Sequence, residues 1–152
     1  MDVDARLREL GIELPAAPQA LAAYVPVVVA GGLAFVAGQI PLEDGAVSCA
    51  GKLGAGVDVE RGAAAARRCA LQAIAALRAE LGSLDRVRRV VRVAVYVASA
   101  EGFTGQPQVA NGASELFTEV FGEAGKHARA AVGVAELPLG AAVEVEVTVE
   151  LA

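Results

Sequence analysis

The sequence predicts an α+β fold, a single sheet with two helices packed on one of its faces. Three observations predict it. A Gly-Gly pair separates two apolar strand-like runs early in the chain, two amphipathic stretches at about 58–81 and 108–121 flank a β-branched run, and a Val-Glu alternation closes the chain. With 152 residues the chain reads as one domain, 1–152, large enough for a real core.

The elements follow in order. Val3, Leu7 and Leu10 share one face of a short helix over about residues 2–10, stopped by Gly11. The segment ELPAAPQALAAY is an extended lead-in, and VPVVVAGGLAFVAGQIP is a hairpin turning at Gly31-Gly32. Residues 43–57, rich in glycine, read as a loop. Asp58 then caps a helix that Gly82 ends, with Ala66, Ala70, Ala73, Leu77 and Leu81 as its buried stripe. Arg67, Arg68, Gln72 and Arg78 fall largely off that stripe. The basic cluster DRVRRVVR is a polar lead-in to a strand over 90–98. The second helix turns Val109, Ala113, Leu116, Phe117, Val120 and Phe121 inward and ends at Gly122. Two last strands, 128–135 and 141–151, are expected to form a hairpin about LPLG.

With both helices on one face, the other face has no cover within the chain. The mean hydropathy of +0.51 is high for a monomer of this size, and no apolar run approaches the roughly 20 residues of a membrane span. The surplus predicts apolar surface buried between subunits. A net charge of −5 argues against a nucleic-acid partner. The polar, acidic opening MDVDARLREL has no targeting character, so the cytosol is the expected compartment. Two cysteines are too few for a disulfide framework or a zinc site. Cys69 reads as a small core residue and Cys49 as a loop thiol, with nothing in the sequence to pair it with His127. No phosphate loop, dinucleotide fingerprint or metalloprotease motif occurs, so neither a metal nor an organic cofactor is expected.

The chemistry concentrates in RAAVGVAE and AAVEVEVTVE. Alternation sets Arg129 beside Ala131, Gly133 and Ala135, a long cation in a small-residue hollow. An even connecting loop would place Arg129 on the face of Glu144, Glu146 and Glu150. The arginine is then either an ion-pair partner or a bidentate anchor for a carboxylate ligand. Tyr24 is a packing ring or a pocket lid, and Gly38 a bend or a close approach to a ligand. Asn111 and Ser114 read as helix caps or pocket residues, and His127 as a surface or ion-pair histidine rather than a base.

The segments YVPVVVAGGLAFVAGQIP, RVVRVAVYVAS and ARAAVGVAELPLGAAVEVEV together resemble the YjgF/RidA family, also called endoribonuclease L-PSP, over roughly residues 20–151. The resemblance implies a chorismate-mutase-like homotrimer with ligand clefts between subunits. It also implies hydrolytic deamination of small enamine or imine carboxylic acids to keto acids and ammonia. On it, Arg129 matches the carboxylate anchor, Glu144 the glutamate near the hydrolytic water, Tyr24 the tyrosine at the pocket mouth and Gly38 a lining backbone position. Asn111 or Ser114 stands for the pocket asparagine. Ala37 and Ala131 depart from it, standing where active members carry Ser and Cys. The alternative is a trimer that binds a small carboxylate without turnover. A ribonuclease fits the acidic balance poorly.

Overall fold

The computed structural model describes residues 1–20 and 22–152; Leu21, within the expected lead-in, lies outside the described residues. Among the described residues there are three α-helices, α1 (Val3–Glu9), α2 (Val59–Leu81) and α3 (Gln106–Phe121). The strands are β1 (Val27–Ala30), β2 (Leu33–Gln39), β3 (Leu42–Glu43), β4 (Ala46–Val47), β5 (Lys52–Leu53), β6 (Gly56–Val57), β7 (Val87–Ala98), β8 (Ala128–Val134) and β9 (Val143–Leu151). Five of them form one sheet in the order β1-β2-β9-β7-β8. Only the β7–β8 pair in that sheet is parallel.

Local chemistry accounts for most boundaries. Asp58 accepts a hydrogen bond from the Arg61 amide at the start of α2, and Gly82 ends the helix in the left-handed region at φ 76°. Gly31 and Gly32, at φ 58° and 76°, supply the two left-handed residues that a tight two-residue hairpin turn requires. Helix α3 starts earlier than expected, at Gln106, because Pro107 fits the first turn, where its missing N–H has no intrahelical role. Asn111 and Ser114 are therefore inside the helix and cap nothing.

The structure corrects three further expectations. Residues 43–57 are not plain loop: β3 and β4 pair about Asp44-Gly45, and β5 and β6 form a short parallel ladder. Arg88 and Arg89 already lie in β7, which begins at Val87 and carries irregular register at both Val87/Arg89 and Val90/Arg92. The last two strands do not pair with each other. The chain leaving β8 crosses the end of β7 through residues 135–142, and β9 enters the sheet between β2 and β7.

The core sits between the sheet and α2 and α3. Val143, Val145, Val147 and Val149 of β9, with Val93, Val95 and Val97 of β7, face the alanine stripe of α2 and the Phe117–Phe121 end of α3. Gln72 is part of this interior rather than the polar face, only 3% exposed. Its amide donates to the Ile40 carbonyl at 2.8 Å and to Gln39, and its oxygen accepts from the Leu42 amide at 2.8 Å. Full pairing is what makes a buried amide tolerable here, and it ties the end of β2 to α2.

The helices approach closely at Gly112, where a Cβ would fall 2.7 Å from the Ala63 carbonyl carbon. Alanine is the better helix former by about 1 kcal/mol, but the atoms it meets are backbone and cannot rotate away, a cost of about 1–3 kcal/mol or more. Gly112→Ala is expected to lower the urea midpoint with unchanged m; a raised midpoint would show that the helices have room to part.

Candidate functional site

Arg129 lies opposite Val93 across the β7–β8 ladder, and Val93 lies opposite Val147. Paired residues share a face, so Arg129 stands on the helix side of the edge strand. This overturns the expectation that it shares a face with the glutamates. That expectation assumed β8 paired with β9; with β7 between them, the loop length sets no such register. The exposed guanidinium donates through Nη1 to Asn111 Oδ1 at 2.8 Å and to Ser114 Oγ at 3.2 Å. These two acceptors are three residues apart on one face of α3, so both candidates stand beside the arginine.

Arg6, Arg67, Arg78 and Arg88 each have a carboxylate within ion-pair distance. Among the described residues Arg129 has none, so no glutamate of its own chain is its partner. Beyond it, Ala131 and Gly133 continue the row. A Cβ on Gly133 would lie 2.9 Å from Gln106 Nε2 and 3.1 Å from Ser99 Oγ. Gln106 and Ser99 bring polar groups to the end of this row that no motif in the sequence marks.

His127 is neither a surface nor an ion-pair histidine. It is half-buried, with Nε2 at 2.9 Å from Ser114 Oγ and Nδ1 at 2.6 Å from the Gly125 carbonyl oxygen. Cys49 is buried at the rim of a separate depression with Ser48, Arg61 and Arg68, and burial raises its thiol above the ordinary value.

A second group forms on the uncovered face. Glu144 lies opposite Tyr96 there. With Tyr24, Gly38, Pro26, Ile40 and Leu139, Glu144 lines a cavity of about 400 Å³. The Glu144 side chain lies across Gly38, where a Cβ would fall 2.9 Å from its carboxyl carbon. A β-bulge between Val36 and Gln39 re-aims the strand at this point. Tyr96 donates to Glu146 Oε1 at 2.5 Å, and this bond raises its phenol above the ordinary range. Burial, and secondarily the charge of Glu146, raise the Glu144 carboxyl above 4.5.

The two groups do not meet within one chain. Strands β8 and β9 are two strand spacings apart, about 10 Å, Glu144 is offset from Arg129 by three residues, about 10 Å more, along β7, and the two side chains are on opposite faces of the sheet.

Residues 4–151 match a family model described as "YjgF/chorismate mutase-like, putative endoribonuclease". The chain belongs to this YjgF family. It is 53% identical to "Protein TCP17" of Trypanosoma cruzi over 150 residues, 98% of this chain and 94% of that protein. The crystal structure of Atu1372 from Agrobacterium tumefaciens is similar at 43% identity and a TM-score of 0.89, over 99% of this chain and 92% of that one. A Shewanella oneidensis protein described as a "putative endoribonuclease" is similar at 34% identity and a TM-score of 0.94, over 99% of this chain and 100% of that one. The YjgF fold here is three helices on a mixed sheet, and no helix among the described residues is long and apolar enough to cross a membrane.

A raised carboxyl makes Glu144 a measurable cost in this YjgF chain. The folded state holds its proton to higher pH than the unfolded state, so its contribution to stability is full below the unfolded pKa and is lost as pH rises through the folded value. Glu144→Gln is therefore expected to raise the urea midpoint at pH 7, with the gain disappearing near pH 4. A gain that persists at pH 4 would assign the effect to packing instead.

Proposed function

We propose that the chain acts in the cytosol as a homotrimer that hydrolyses small enamine or imine carboxylic acids to keto acids and ammonia. In the proposed assembly, the Arg129 group of one copy faces the Glu144 group of the next across a shared cleft. The observation that carries this reading is the state of Arg129: exposed, oriented through Nη1 by the neutral Asn111 and Ser114, and without a carboxylate partner among the described residues. Its remaining donors suit the two oxygens of a carboxylate. The opposite placement of the two groups gives the reading its second support, since a ligand held by both requires two copies.

In the proposed reaction the imine carbon lies between the two groups. Water adds to that carbon while Glu144 accepts one of its protons, and the electron pair of the C=N bond passes to nitrogen, which is protonated. The proton that nitrogen gains is the one Glu144 took and returns, and as the C–N bond of the resulting carbinolamine breaks its hydroxyl proton passes to the departing nitrogen, giving ammonia and the keto acid. An enamine first takes a proton on carbon to become the imine. A carboxyl raised by burial is a better proton acceptor than one in water. Such imines also hydrolyse unaided, so orientation and one charge-assisted contact are enough.

A binding protein without turnover is the second reading, favoured by Ala37 and Ala131, which add no polar group to the cleft. One experiment separates them. An amino-acid oxidase generates the imine in situ, semicarbazide traps what survives, and sedimentation reports the assembly. Native protein is expected to sediment as a trimer and suppress trapping, while Arg129→Ala loses about 10- to 100-fold in kcat/KM, the worth of hydrogen bonds to a charged group. Saturable keto-acid binding with undiminished trapping would establish the binding reading.

A further inference from the structure

We infer that His127 is a positioning residue that aims Arg129 through Ser114. The directions of the hydrogen bonds carry this. A backbone carbonyl can only accept, so the 2.6 Å contact with the Gly125 oxygen requires the proton on His127 Nδ1. In the neutral ring Nε2 is then bare and accepts the Ser114 hydroxyl proton across 2.9 Å. With its proton committed to the ring, Ser114 Oγ presents lone pairs to Arg129 Nη1 at 3.2 Å. The chain of donation runs Arg129 to Ser114 to His127 to Gly125, and each bond fixes the direction of the next.

The surroundings hold the ring in that pose. Phe117 packs edge-on to the imidazole, centroids 6.0 Å apart and planes at 81°. A Cβ at Gly125 would lie 2.7 Å from the Phe117 carbonyl carbon, so the turn that supplies the accepting carbonyl is packed directly on α3. Asn111 takes the same Nη1, so one nitrogen of the guanidinium is fixed on the helix side and the rest of the fork is turned outward. A mobile arginine would lose this orientation on each ligand encounter; a held one does not.

The inference rests on the reading of Arg129 as a carboxylate anchor, and the experiment separates the two. His127 is the chain's one histidine, so uniformly ¹⁵N-labelled protein gives a single imidazole pair, one Nδ1 and one Nε2 resonance, from which the tautomer is read. At neutral pH the ring is expected in the Nδ1–H tautomer, and Ser114→Ala is expected to shift the Nε2 resonance. An Nε2–H tautomer overturns the relay. Pyruvate, added to the same samples, probes the anchor without turnover. His127→Leu is expected to weaken pyruvate about tenfold and to raise the imine KM by a similar factor with little change in kcat, the loss of about one hydrogen bond's worth of alignment. His127→Gln, whose amide oxygen can accept from Ser114, is expected to recover most of it. Native affinity in His127→Leu, or a leucine-like defect in His127→Gln, overturns the inference. Pyruvate binding unaffected by Arg129→Ala, with the Nδ1–H ring intact, would remove the anchor and leave the relay standing.

Discussion

The alternation of β9 is the constraint on which the rest depends. Its four valines, Val143, Val145, Val147 and Val149, are all at most 2% exposed, and they are the floor on which α2 and α3 lie. The period of two then leaves Glu144, Glu146, Thr148 and Glu150 no choice but the opposite face. Because β9 runs through the centre of the sheet, this polarity passes by cross-strand pairing to β7 and from β7 to β8. Arg129 inherits the covered side from Val147 through Val93. A one-residue slip of β9 would turn its valines out and Glu144 in, and a slip of β8 on β7 would carry Arg129 to the other face, which is why burial fixes the register so firmly.

Much of this fold was legible. The 58–81 helix, with its cap and its glycine stop, and the Gly31-Gly32 hairpin rest on local signals, and local signals survive any tertiary arrangement. Every inward residue expected of α3 is buried. The failures were of pairing and of neighbourhood. Proximity in sequence made β8 and β9 look like a hairpin, whereas the sheet places β7 between them, a choice made by long-range packing that no local pattern encodes. Gln72 read as polar surface because its partners, the Ile40 carbonyl and the Leu42 amide, lie some 30 residues earlier in the chain and its residue type says nothing of them. The Asp44-Gly45 turn is different: its signal was in the sequence, masked by the surrounding glycines.

The candidate site was legible in part, and in an instructive way. Arg129 and Glu144 stand out by type and alternation, and Tyr24 and Gly38 fall into the same cavity as Glu144. What alternation could not give was the division of these residues between two faces. It also could not find the company Arg129 keeps. Asn111, Ser114 and His127 each have a bland local explanation, and only the approach of α3 to the edge strand shows that they act on one guanidinium. Gln106 lies before the apolar periodicity of α3 begins at Val109, so that pattern gives no signal of its place in the first turn.

That approach depends on the smallness of the chain's side chains. Helix α3 can lie close to α2 because Gly112 meets the Ala63 backbone with nothing between them, and an alanine-rich helix face adds little thickness. The flank of α3 that carries Asn111 and Ser114 is thereby brought over the rim of the sheet, above β8. Strand β8 itself is left half open: none of its seven residues is fully buried, Val132 is 44% exposed, and its outer edge has no partner strand among the described residues. A long apolar edge is a standing invitation to another chain. A second copy laid against it would cover that edge and could carry its own Glu144 to the arginine. In the proposed trimer one contact would then cover the open edge and complete the proposed site.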